Sequence, residues 1–125
     1  MRLLLDSHAV LWWVMDDRRL SPIARAAIRT PENDLFVSAC VAYEIAYKQR
    51  LGRLDPLPEA LSRRLQREGM LDLPITLDHA LAAAALPGPH RDPWDRIMTA
   101  QAQAEGLTVV TMDPVFAGYG VPVLW

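Results

Sequence analysis

Short apolar runs, each followed by a longer helical stretch, constrain this chain more than any other feature of its sequence. Leu3-Leu4-Leu5, Leu35-Phe36-Val37 and Leu107 to Thr111 (LTVVT) are too short for helices and too uniformly apolar for half-exposed strands. Runs of that kind belong to strands buried on both faces, and strands alternating with helices imply a parallel sheet. The expected fold is therefore α/β, a three-layer α/β/α sandwich around a short, mostly parallel central sheet. At 125 residues and net charge −2, such a domain buries roughly two-thirds of the surface of its unfolded chain. It forms a core without disulfides or structural metal. Residues 1–125 read as one domain.

The punctuation supports that order of elements. Ala9 to Met15 reads as a helix, and Ser21-Pro22 caps and opens the next, which runs to about Thr30. Ser38 caps a helix that reaches Leu51 and stops at Gly52. A polar helix follows from Glu59 to Glu68. Leu71 to Ile75 is at most a short strand, whose proline suits a sheet edge. Thr76 caps a helix to Leu86, Asp92-Pro93 opens another to Glu105, and Val121 to Trp125 closes the chain as a short strand.

Composition narrows the function classes. The single cysteine, Cys40, rules out an internal disulfide framework and points to a reducing cytoplasm. No segment reaches the ~20 apolar residues of a membrane span. The N-terminus resembles a signal peptide only until Asp6 and His8, so no membrane role is expected. The net charge draws the chain toward no polyanion, which leaves local arginine patches or bridging cations to hold one. Two basic clusters, Lys48-Arg50-Arg53 and Arg63-Arg64-Arg67, are available to phosphate.

The chemistry resides in four carboxylates in apolar surroundings. Asp6 directly follows the first strand and Asp113 follows the fourth, and ligands of open parallel sheets bind beyond those carboxyl ends. Each is equally readable as a turn or cap residue. Glu44 is the single charge in ACVAYEIAY, and helical spacing puts it on one stripe with Cys40, Tyr47 and Leu51, a core-like face. Asp95 stands three residues after Asp92. Helix-dipole capping explains Asp92 fully and Asp95 less well, because Trp94, Ile97 and Met98 draw that turn inward. Acids gathered this closely raise one another's pKa unless a cation intervenes. Mg²⁺, or Mn²⁺, is the economical choice, and phosphodiester hydrolysis is the reaction such a set performs best.

LLLDSHAVLWW, VSACVAYEIAYKQRLGRL and HRDPWDRIMTAQAQAEGLTVVTMDPVFAGYG, taken in order, resemble PIN-domain ribonucleases, and among them the VapC-like toxins of type II toxin–antitoxin pairs. The resemblance implies an acidic quartet of Asp6, Glu44, Asp95 and Asp113 that holds Mg²⁺ and cuts single-stranded or looped RNA. It implies supporting roles for Ser7, Asp92 and Thr111. It also implies a cognate antitoxin and a homodimer, for which Trp12-Trp13 and the apolar Ala82–Leu86 segment are candidate contacts. Three other readings are weaker. A phosphoryl-receiver or aspartate-nucleophile phosphatase lacks its second Asp in Asp6-Ser7-His8, and a serine hydrolase lacks a nucleophile elbow. A PIN-like RNA- or protein-binding module without catalysis would not need all four acids. His8 is expected beside the site, and His79 and His90 on the surface.

Overall fold

The computed structural model describes residues 1–89 and 92–125; His90 and Arg91, part of the quoted resemblance, lie outside the described residues. In chain order the elements are β1 (Arg2–Leu5), α1 (Ser7–Val14), α2 (Pro22–Arg29), β2 (Asp34–Ser38), α3 (Ala39–Arg50) and α4 (Leu61–Arg67). They continue with β3 (Leu71–Leu73), α5 (Leu77–Ala85), α6 (Pro93–Glu105), β4 (Thr108–Val110), α7 (Val115–Gly118) and β5 (Val123–Leu124).

The five strands form one sheet in the order β3-β2-β1-β4-β5. Every pairing is parallel, so the mostly parallel sheet expected from sequence is wholly parallel among the described strands. Leu3, Leu4 and Leu5 pair with Leu35 to Val37 on one side and Thr108 to Val110 on the other. All three leucines are fully buried, as are Val109 and Val110. β1 is the central strand because Leu3, Leu4 and Leu5 need water on neither face. β3 lies at a sheet edge, where Pro74, just past its end, removes no ladder bond.

The strand order sets the ligand-binding edge. From β1 the chain winds outward through β2 to β3, then crosses back to begin again at β4 on the far side of β1. Connections leaving β1 and β4 therefore diverge, which opens a crevice between their carboxyl ends. Two connections have no loop at all. Asp6 is the lone residue between β1 and α1, and Ser38 both ends β2 and caps α3 through a hydrogen bond from the Cys40 amide. A strand that turns straight into a helix delivers its junction residue to the rim.

Several local expectations change on folding. α1 begins at Ser7 instead of Ala9, because the Asp6 carboxylate accepts from the Ala9 amide and caps the helix. α4 is shorter than the polar stretch from Glu59 to Glu68. The Cys40-Glu44-Tyr47-Leu51 stripe is not a core face: Cys40 is buried, Glu44 half-buried, and Tyr47 and Leu51 exposed. The face of α3 that enters the core carries Val41 and Ile45. His79 is buried rather than superficial. Its Nδ1 accepts from the Thr76 amide at 3.1 Å, so Nε2 carries the proton and donates to Glu105 at 3.0 Å.

Candidate functional site

Asp6 stands at the junction of β1 and α1, buried directly after the three leucines of the strand. Its amide donates to the Val110 carbonyl at 3.2 Å, continuing the ladder to β4 one residue past the last leucine. Burial pushes the Asp6 carboxyl above the usual carboxylate range, against hydrogen bonds from the Thr111 hydroxyl and the Ala9 amide that favour its ionised form. Asp113 adds a smaller upward push.

Thr111 ties two of the acids together. It directly follows β4, is almost fully buried, and its Oγ1 accepts from the Asp113 amide at 2.9 Å while bonding to Asp6. Asp113 in turn accepts from the Val115 amide at 2.9 Å and starts α7. Asp92 caps α6, accepting from the Trp94 and Asp95 amides at 2.9 and 3.3 Å. The cap roles read from sequence for Asp6 and Asp92, and the turn role of Asp113, are therefore all present. A capping carboxylate keeps lone pairs for a second partner, so capping and ligation do not exclude each other.

Glu44 reaches the same place from α3 and Asp95 from the first turn of α6. Asp6, Ser7, Glu44, Asp92, Asp95 and Asp113 all line one open pocket of about 200 Å³. Phe116 and Met98, both buried, contribute apolar wall beside them. Carboxylates from segments far apart in sequence are thus brought to one crevice at the carboxyl edge of the sheet. Thr111 contributes from behind through its bond to Asp6.

Two lining residues have a place here that the sequence did not give them, and His8 lines the pocket as expected. Lys48, expected only as part of a basic cluster, pairs with Glu44 at 3.4 Å. The i, i+4 spacing of Glu44 and Lys48 is the signal that finds it. Trp94 packs against the core, as expected, and also lines the pocket wall. In the second basic cluster, Arg64 pairs with Glu68 at 2.5 Å and Arg67 with Glu59 at 2.6 Å. Cys40 also lines the pocket, but burial pushes its thiol up to about 11, which keeps it neutral and unreactive.

The donor set suits a hard divalent cation. It consists of carboxylate oxygens, with a hydroxyl from Ser7, around an acid that burial leaves in need of positive charge. As the side chains stand, no three His, Cys, Asp or Glu groups among the described residues are close enough to share one ion. Lys48 supplies part of the compensating charge.

A parallel sheet with an acid-lined pocket at its switch point defines a class of α/β protein, with the pocket where such sheets bind their ligands. The sequence matches the PIN domain over residues 3–121, and the chain belongs to that family. It is 36% identical over 112 residues to Ribonuclease VapC22 of Mycobacterium tuberculosis, covering 88% of this chain and 85% of the relative. The fold is similar to VapBC2 from Rickettsia felis bound to a fragment of its promoter DNA (TM-score 0.73, 14% identity, 98% and 97% of the two chains). It is also similar to M. tuberculosis VapC20, a sarcin–ricin loop cleaving toxin (TM-score 0.68, 13% identity, 95% of each chain). FitAcB from Neisseria gonorrhoeae shares it as well (TM-score 0.65, 22% identity, 97% and 95%).

Proposed function

We propose that the whole chain, residues 1–125, is one nuclease domain that cuts RNA phosphodiester bonds with a divalent cation, and that it is the toxin of a toxin–antitoxin pair in the cytoplasm. The observation that carries this reading is the gathering of Asp6, Glu44, Asp95 and Asp113 from four elements into one pocket. Its family membership and its 36% identity to a VapC ribonuclease support the same activity. A binding module without catalysis has no use for so many crowded carboxylates. The absence of a helix long and apolar enough to cross a membrane, among the described residues, agrees with the proposed location.

Asp6, Glu44, Asp95 and Asp113 would hold the cation, Mg²⁺ or Mn²⁺. When bound it would supply positive charge to the developing phosphoryl transition state and make a nearby water more acidic. The protein's own residues do the remainder. Thr111 fixes the Asp6 carboxylate and the Asp113 backbone relative to each other. Asp92 holds the first turn of α6, and with it the backbone of Asp95. Lys48 is placed to leave Glu44 for a substrate phosphate when a cation takes its place. Phe116 and Met98 keep one wall of the pocket apolar, so charges inside it act at lower effective dielectric.

Cleavage of RNA in Mg²⁺ or Mn²⁺ and its loss in EDTA test the reading directly. Saturating cation should also raise the melting temperature of the wild type, since a ligand at about 100 times its Kd stabilises a fold by about 2.7 kcal/mol. Glu44→Gln should shrink that rise; equal rises in both proteins would remove Glu44 from the cation site.

The proposal extends to assembly: a homodimer, silenced by a cognate antitoxin whose basic side chain would enter the acidic pocket. Of the two tryptophans expected at the contact, Trp12 is buried within the chain and Trp13 is half-buried. Trp12 is stacked on His8 at 5.0 Å and edge-on to Trp125 at 5.7 Å. The half-buried Trp13 donates from Nε1 to Glu68. In Ala82–Leu86 only Ala83 is buried. Apolar surface open to a partner is present on α5, where Leu77 and Leu81 are 76% and 62% exposed. Light scattering at micromolar concentration should give twice the 14.0 kDa chain mass, and Leu81→Glu should halve it. A wild-type monomer would exclude the dimer.

A further inference from the structure

Beside the acid pocket lies a row of aromatic rings that begins at Trp94, packed against the edge of the core, and ends on two exposed tyrosines. Tyr43 and Tyr47, one turn apart on α3, stack with ring centroids 5.6 Å apart and planes within 11°. Trp94, in the first turn of α6, lies 5.2 Å from Tyr43 at 46°. Trp94 also lines the pocket that holds Asp6, Glu44, Asp92, Asp95 and Asp113. The row therefore begins at the pocket wall and runs outward along α3. Tyr43 is 53% and Tyr47 47% exposed, on the side of α3 away from the buried Val41.

The charges around the row argue for what covers it. The chain carries net charge −2, and Lys48 and His8 are the basic residues among the described lining of a pocket with five carboxylates. A phosphodiester chain approaching that pocket meets mainly repulsion away from the cation and Lys48. A contact that does not depend on charge adds the grip those two leave short. Every base presents a π-face, and aromatic stacking holds single strands with little regard to sequence.

We propose that Tyr43, Tyr47 and Trp94 form a base-stacking platform that seats nucleotides flanking the scissile phosphate of single-stranded RNA. The inference rests on the ribonuclease reading above. Trp94 receives the base nearest the pocket and the tyrosine pair the bases beyond it. Lys48, adjacent to Tyr47 in sequence, faces the intervening backbone phosphate once released from Glu44. These are positioning residues: they fix where the strand lies and leave the reaction to the acids.

Cleavage kinetics in saturating Mg²⁺ with a single-stranded RNA oligomer test the platform. Tyr43→Ala should raise KM about tenfold with kcat within twofold, and Tyr43→Phe, which keeps the ring, should restore the wild-type KM. The tenfold loss should persist at low and high salt, because stacking releases no counterions. An abasic ribose-phosphate oligomer should compete about tenfold less well than the base-bearing oligomer against wild type, and equally with it against Tyr43→Ala. Because Tyr43 is exposed, its variants should melt with the wild type. An unchanged KM in an active Tyr43→Ala protein overturns the platform and leaves the ribonuclease reading intact. Equal competition by both oligomers against wild type also overturns it. A change confined to the light-scattering mass would assign the rings to a protein contact instead. A wild type that cuts no RNA in any divalent cation overturns the ribonuclease reading, and the platform with it.

Discussion

Asp6→Asn should lower RNA cleavage by about a thousandfold or more in a protein that folds at least as well as its parent. The activity loss follows from the several kcal/mol of transition-state charge stabilisation a held cation supplies, at about 1.4 kcal/mol per tenfold in rate. The retained fold follows from two features of the site. Asn caps a helix as well as Asp does, so the bond from the Ala9 amide survives. Burial also holds the Asp6 carboxyl above its ordinary range. The native state therefore binds that proton more tightly than the unfolded chain, and without cation the protein gains stability as pH falls through the raised pKa. Asn mimics the neutral form at every pH and should flatten that dependence. Single-turnover cleavage and urea unfolding across pH 4–8 (roughly the span of raised carboxyls) measure both halves. A variant as active as wild type would displace Asp6 from the site.

Phe116→Ala should cost about 3–5 kcal/mol, the usual range for emptying an aromatic core position. That is a large share of the 5–15 kcal/mol expected for a domain of this size. Phe116 is 1% exposed and lies on α7, a four-residue helix with little stability of its own. Its carbonyl accepts from the amides of Tyr119 and Val121, which feed the chain into β5. The same ring walls the pocket next to Asp113. Removing it leaves a cavity between the turn that carries Asp113 and the last strand. The midpoint of thermal unfolding should fall by about 10–20 °C. Divalent cation should stabilise the variant less than the parent, because Asp113 loses its support. A cost under about 1 kcal/mol would mean that α7 collapses onto the sheet without it.

Burial on both faces made β1, β2 and β4 legible, since a run such as Leu3-Leu4-Leu5 has no alternative that keeps all three side chains dry. Capping signals located α2, α3, α5 and α6 within a residue or so, because Ser21, Ser38, Thr76 and Asp92 each satisfy amides within their own next turn. Local signals failed where long-range contacts decide. α7 carries no cap and no periodicity to announce it; it exists because Phe116 has a core to enter. His79 looked superficial because nothing near it in sequence reveals Glu105, its partner 26 residues away.

The candidate site divides along the same line. Asp6, Glu44, Asp95 and Asp113 stood out singly because a carboxylate beside apolar residues needs an explanation that local packing does not provide. The strands they follow, their order along the chain and the α/β class are all properties of neighbouring residues, and the sequence by itself determined them. Their meeting in one pocket was decided by the strand order β3-β2-β1-β4-β5, which sets β4 beside β1 although more than a hundred residues separate Leu3 from Thr108. So was the capture of Glu44 by Lys48 instead of the core, the hydroxyl of Thr111 shared between two acids, and the turn of Tyr43 and Trp94 toward each other. Periodicity specifies which face of an element is apolar, but a helix at a sheet edge has more faces than neighbours. Only the packed structure decides which of them meets the core, a partner or water.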